Sequence, residues 1–240
     1  MMVKATSPRV QIERLLGDVG RLKNQVQQLE GEYQDCYRTS QDSGRNLQSA
    51  EWPLRRAESD NAQTDVSFDG RQAQQYLSSA QRGLDSNERD LRSADLESDR
   101  AAGNFDQAQA DLQRIIADSS SYPSSLASLQ QARSSLEGAD AQHDSADSQA
   151  GWARNETDSA VRELRWAESS VRNITYDRPG TDVSYDARQA SSRVRQAQWD
   201  VRDVDRNLNQ ARGEEERSGQ GLSSVEQHLR QALAQLPPEA

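Results

Sequence analysis

The sequence contains one cysteine, two histidines, two lysines and no long hydrophobic run. With Cys36 alone, no intrachain disulfide can form, and the redox compartment stays open. His143 and His228 leave little general acid–base capacity near neutral pH. There is no Gly-rich phosphate loop, zinc-type Cys/His spacing or serine elbow, so the reading is of a non-enzyme without a cofactor. No window approaches the ~18 apolar residues of a membrane span, which excludes membrane insertion by a helix. The N-terminal stretch MMVKATSPRVQIERLL is too interrupted by charge for a signal peptide, which makes the cytoplasm the expected location. Two glycosylation sequons, Asn155-Glu-Thr157 and Asn173-Ile-Thr175, lack an accompanying secretory signal and are read as chance.

Apolar residues are also scarce, at 33% with 5% aromatics and a mean hydropathy of −1.02. A compact globule of 240 residues uses more. The chain is then either disordered or built of helices that each bury a narrow stripe. The charge is −10, from 39 acidic and 29 basic residues. Its 27 arginines are scattered among Asp and Glu rather than gathered in a basic run. That pattern suits a solvated helix surface and disfavours a nucleic-acid partner, whose phosphates the net charge would repel.

Periodicity decides for helices. Apolar or small residues recur at alternating spacings of three and four in four segments: Ile12 to Ala57, Val66 to Ile115, Leu129 to Ile174 and Val183 to Leu236. This is the seven-residue repeat of left-handed coiled-coil packing, sustained for about seven heptads in each segment. Pro8 precedes the first segment, Pro123 opens the third, Pro179-Gly180 separates the third from the fourth, and Pro237-Pro238 closes the last. Pro53 alone falls inside a run, where it should kink the helix or start a new one. The expected fold is all-α, more than 80% helix. It consists of two tandem long antiparallel coiled-coil hairpins packed as an elongated four-helix bundle, about 70 Å long at ~1.5 Å per residue. An end-to-end arrangement of the hairpins stays open. The expected organisation is a disordered segment at 1–9, hairpin 1 at 10–118, hairpin 2 at 119–236 and a tail at 237–240.

The hairpins are copies of one another. Ser49 to Ser59 matches Ser159 to Ser169 at seven of eleven positions, and Thr64 to Ala73 matches Thr181 to Ala190 at eight of ten. The second match sits at the hairpin tip, where Thr64 and Thr181 are placed to cap the following helix. Phe68 and Tyr185, off the seam beside them, are candidate aromatic contacts of a docking tip. Trp152, Trp166 and Trp199 also lie off the seam, where the first copy has Arg45, Arg56 and Arg82. Trp52 is a fourth such residue. These rings either cover the contact between hairpins or form a binding surface for a protein partner or a second copy.

Four polar seam residues are equivalent in pairs, Cys36 with His143 and Ser98 with Glu215. A core holding Glu and His has some ingredients of a metal-binding, ferritin-like bundle, with Cys36, His143 and Glu215 as weak candidate ligands. Such cores need Glu on several helices and paired Glu-x-x-His motifs, whereas this chain offers only Asp140-x-x-His143. A polar layer that sets register is the commoner use of such residues. The functional expectation is a non-catalytic scaffold or protein-interaction module, with a metal- or ligand-binding bundle as the alternative.

Overall fold

The computed structural model describes residues 7–60, 64–119, 122–178 and 180–237. It is all-helical, with 92% of the described residues in helix and no strand among them. Four helices follow in chain order: α1 (Pro8–Glu58), α2 (Ser67–Asp118), α3 (Pro123–Thr175) and α4 (Ser184–Gln235). Residues 1–6 of the expected N-terminal segment, together with Pro179 and Pro238, lie outside the described residues.

The seam reading holds at every position. All the residues spaced by three and four are buried, the polar Ser40, Ser43, Asn87, Ser98, His143, Thr157, Glu215 and Ser218 among them. Alanine is the commonest small seam residue, and its short side chain lets helix axes approach, so a thin apolar stripe suffices to exclude water. Two boundaries differ in detail. Pro8 is the first residue of α1 rather than the one before it. Ser7 caps the helix, its carbonyl accepting from Gln11 N–H at 3.1 Å and its hydroxyl from Val10 N–H at 3.4 Å. Proline suits a first turn because its missing N–H would have no intrahelical partner there. Pro53 does not start a new helix: α1 runs through it to Glu58 with the proline itself buried.

The chain divides into two compact units that cut across the helices rather than between the hairpins. Unit 1 is Met1–Gly31, Ala94–Ser148 and Gln210–Ala240; unit 2 is Glu32–Ser93 and Gln149–Asn209. Each contains a stretch of all four helices. In unit 1, polar contacts join neighbours in a ring: Asn104 to Gln25 between α2 and α1, Gln109 to Asp140 between α2 and α3, Ser128 to Gln235 between α3 and α4, and Lys23 to Glu226 between α1 and α4. In unit 2 a single apolar cluster draws on all four helices, from Leu47 and Leu54 through Leu77 and Leu84 to Leu164, Val171, Val194 and Val201. Within each unit, then, the hairpins pack against each other as a bundle.

One seam position in unit 2 requires glycine. A Cβ on Gly70 would lie 2.6 Å from the backbone nitrogen of Thr175, so α2 passes the end of α3 with no room for a side chain. Gly180, in the α3–α4 loop, has φ +103°, a conformation other residues adopt only with strain.

Candidate functional site

Seven aromatic side chains stand in solvent: Trp52, Phe68, Trp152, Trp166, Tyr176, Tyr185 and Trp199, each between 53% and 74% exposed. All seven belong to unit 2. The heptad explains their exposure, because Trp152 and Trp166 lie two repeats apart on one outward face of α3 and Trp199 lies opposite the seam on α4. More than half of each tryptophan is left in solvent, so contacts within the chain cover only the smaller part of each. Two indoles carry an arginine: the guanidinium of Arg56 sits 4.8 Å from the centre of the Trp52 ring, and that of Arg193 4.5 Å from Trp166. Each contact is worth about 0.5–1 kcal/mol at an exposed site. Arg193 also pairs with Glu163 at 3.1 Å, which ties α4 to α3 beside the indole.

The hairpin tips are capped differently from the sequence expectation. Thr64 and Thr181 do not cap α2 and α4. Asp65 accepts from Ser67 N–H and Asp182 from Ser184 N–H, both at 2.9 Å. The Ser67 hydroxyl and amide hold Asp65 below the usual carboxylate range, and the Ser184 amide and hydroxyl do the same for Asp182. A second pair of caps is exchanged between hairpins. Val66 N–H donates to Asp177 Oδ2 and Val183 N–H donates to Asp60 Oδ2, each at 3.0 Å. The threonines serve these aspartates: Thr64 Oγ1 donates to Asp60 Oδ1 at 2.7 Å, and Thr181 Oγ1 donates to Asp177. The geometry favours aspartate because a carboxylate has two oxygens, one for its own loop and one for the partner hairpin. Sequence reasoning missed Asp60 and Asp177. The signal was there, since each precedes its threonine by four residues in the duplicated tip.

In unit 1 the polar seam residues of α2, α3 and α4 meet. His143 Nδ1 lies 2.8 Å from Glu215 Oε1, and Nε2 lies 3.1 Å from the Ser98 carbonyl and 3.4 Å from its hydroxyl. Phe105 stacks on the imidazole with centres 5.4 Å apart. A carbonyl only accepts, so Nε2 carries a hydrogen, and a further proton bridges Nδ1 and Glu215. Burial disfavours the imidazolium, but the hydrogen bond and charge of Glu215 and the Ser98 carbonyl outweigh it, leaving the His143 pKa raised. Burial likewise raises Glu215, against the lowering effect of its bond to His143. Glu215 Oε2 has no hydrogen-bond partner among the described residues.

Both side chains are at most 1% exposed, which denies a substrate access to them. Cys36, the equivalent of His143 in the first copy, lies in unit 2. Burial, then the charges of Asp90, Glu32 and Asp35, push its thiol up to about 12, so it is an unreactive thiol rather than a thiolate ligand. Among the described residues, no group of three or more His, Cys, Asp or Glu is placed to hold a metal ion. No helix among them is long and apolar enough to cross a membrane. No family model matches the chain, and neither does any curated protein or solved structure.

Proposed function

We propose that the chain is a non-catalytic scaffold or protein-interaction module of the cytoplasm, which docks a protein partner through the aromatic surface of unit 2. The observation that carries this reading is the confinement of all seven exposed aromatic rings to one unit. Folding gains nothing from leaving them in water, and half-exposed indoles beside arginines are the side chains that dominate binding energy at interfaces. Trp152 and Trp166 repeat along one face of α3, so a single partner element can cover both. The buried His143–Glu215 pair belongs to this reading as a polar layer that fixes how the helices register.

The test is the double substitution Trp152→Arg/Trp166→Arg, which restores arginine as in the first copy. Unfolding free energy should fall by no more than about 2 kcal/mol, including the ~0.5–1 kcal/mol of the Arg193–Trp166 contact, since both rings are more than half exposed. Association in sedimentation, or capture of a partner in a pull-down, should be lost. A large drop in melting temperature with association unchanged would refute the docking role.

A further inference from the structure

Resting on that docking role, we infer that the Arg/Trp face of α3–α4 in unit 2 binds the acidic stretch 94–148 of a second copy of this chain. Over residues 149–209 the sequence carries ten arginines and ten acids, which sum to no net charge. Burial breaks the tie. Nine of the arginines are exposed, whereas Asp182 is the only exposed acid. The other nine acids are less exposed, and several are held within the chain: Asp177 caps α2, Glu163 holds Arg193, Asp203 pairs with Arg206, and Asp200 is buried. A partner approaching this surface meets exposed guanidinium groups and half-exposed indoles, with Arg193 lying 4.5 Å from the Trp166 ring. Guanidinium groups bind carboxylates in forked pairs, so the chemistry selected is an acidic protein surface.

Such a surface exists on the same chain. Residues 94–148 hold ten acids against Arg100, Arg114 and Arg133, and each of those arginines already pairs with an acid on its own helix. The remaining acids crowd one another. The pKa of Asp140 is raised by burial and further by the charges of Asp144 and Asp106, a repulsion that arginines from outside would relieve. At 53–58% exposure, the three indoles of the second hairpin offer roughly 400 Å², about half of the ~800 Å² that each side contributes to a stable interface. The exposed arginines supply the rest. The two surfaces differ, so the contact is heterologous: each copy keeps one free surface of each kind, and assembly continues beyond a dimer.

The experiment is sedimentation of the full chain at ~0.15 M salt, where screening within about 8 Å suppresses the overall repulsion between copies. Mass should grow with protein concentration, and association should weaken at least tenfold in 1 M salt. Two variants then separate the surfaces: Trp152→Ser/Trp166→Ser, and Asp99→Asn/Asp106→Asn/Asp144→Asn, all at exposed positions. Each alone should remain monomeric. An equimolar mixture should form a complex that stops at twice the monomer mass, because one intact surface of each kind survives. A wild type that stays monomeric, a mixture that stays monomeric, or an acidic-stretch variant that assembles like wild type overturns the inference. In the last case, loss of assembly in the tryptophan variant alone would leave the docking role standing with a different occupant.

Discussion

Unit 1 takes an imidazole and a carboxylate, His143 and Glu215, into its seam, whereas unit 2 fills its seam with apolar and small neutral residues and sends seven aromatic rings out to solvent. Both are built from stretches of the same four helices on the same seven-residue repeat, so neither departure is needed to make a bundle. The departures differ in kind. A buried charge pair constrains which helix faces which, because any other alignment strands a charge in an apolar core. An exposed indole constrains the interior far less, through no more than a contact such as that of Arg193 with Trp166, and leaves most of its surface for what arrives from outside. Where one repeat supports two regions, the residues that break its inside–outside rule are the first candidates for a task other than filling the core.

The comparison is broken most directly by removing one side chain from each interior. Glu215→Ala in unit 1 leaves His143 without its partner, and should cost about 3–5 kcal/mol. Leu84→Ala in unit 2 leaves a cavity in a fully buried apolar site, and should cost about 2–5 kcal/mol. The two are separated by what rescues them. His143→Leu/Glu215→Leu should recover most of the loss, or exceed wild type by about 1–4 kcal/mol, because it removes two desolvated groups together. Denaturant unfolding of the three variants decides the matter. A double variant as unstable as Glu215→Ala would mean that the pair contributes packing rather than polarity.

The same pair gives unit 1 a dependence on pH. His143 is raised above its ordinary 6.5 and Glu215 above 4.5, so the folded chain holds protons that the unfolded chain has released. The stabilisation from Glu215's proton is complete below 4.5 and declines as pH rises through its folded value. That from His143's proton is complete below 6.5 and is lost as pH rises further. Wild type should therefore lose stability relative to His143→Leu/Glu215→Leu as pH climbs from 4.5 through and beyond 6.5. Melting curves of both proteins across that range are the measurement, and parallel curves would show that the pair does not titrate.

The seam itself was legible in the sequence down to individual residues, including the polar ones, because a seven-residue period assigns each position a side of the helix without reference to partners. Partners are another matter. Ser98, His143 and Glu215 were placed as seam residues of α2, α3 and α4, and three-dimensional packing brings them together. Cys36 carried the same label yet lies in unit 2, in surroundings that deny it a charge. The tryptophans were located off the seam, but whether an off-seam ring meets a neighbour or solvent depends on where the next helix lies, which periodicity does not encode. Asp60 and Asp177 were missed because their bonds cross between hairpins, and helix capping rules look only a few residues along the chain.

Those exchanged caps give the smallest expected effect and the most specific one. Asp60 accepts from Val183, in the other hairpin, while holding Thr64 in its own loop; Asp177 does the reverse with Val66 and Thr181. Replacing either by alanine removes one cap, at about 1 kcal/mol. A local cap would free the amide that follows it in its own hairpin. The exchange makes the opposite prediction: Asp60→Ala should speed hydrogen exchange at Val183 and leave Val66 protected, and Asp177→Ala should free Val66 and leave Val183 protected. Both amides belong to the residue just before a helix, where no intrahelical acceptor exists to replace the lost carboxylate. Asp60→Asn should retain part of the protection, since the amide oxygen can still accept one bond while the charge that favours a helix N-terminus is gone. If Asp60→Ala exposes Val66 instead, the tips close within each hairpin, and this bond no longer joins the two copies in unit 2.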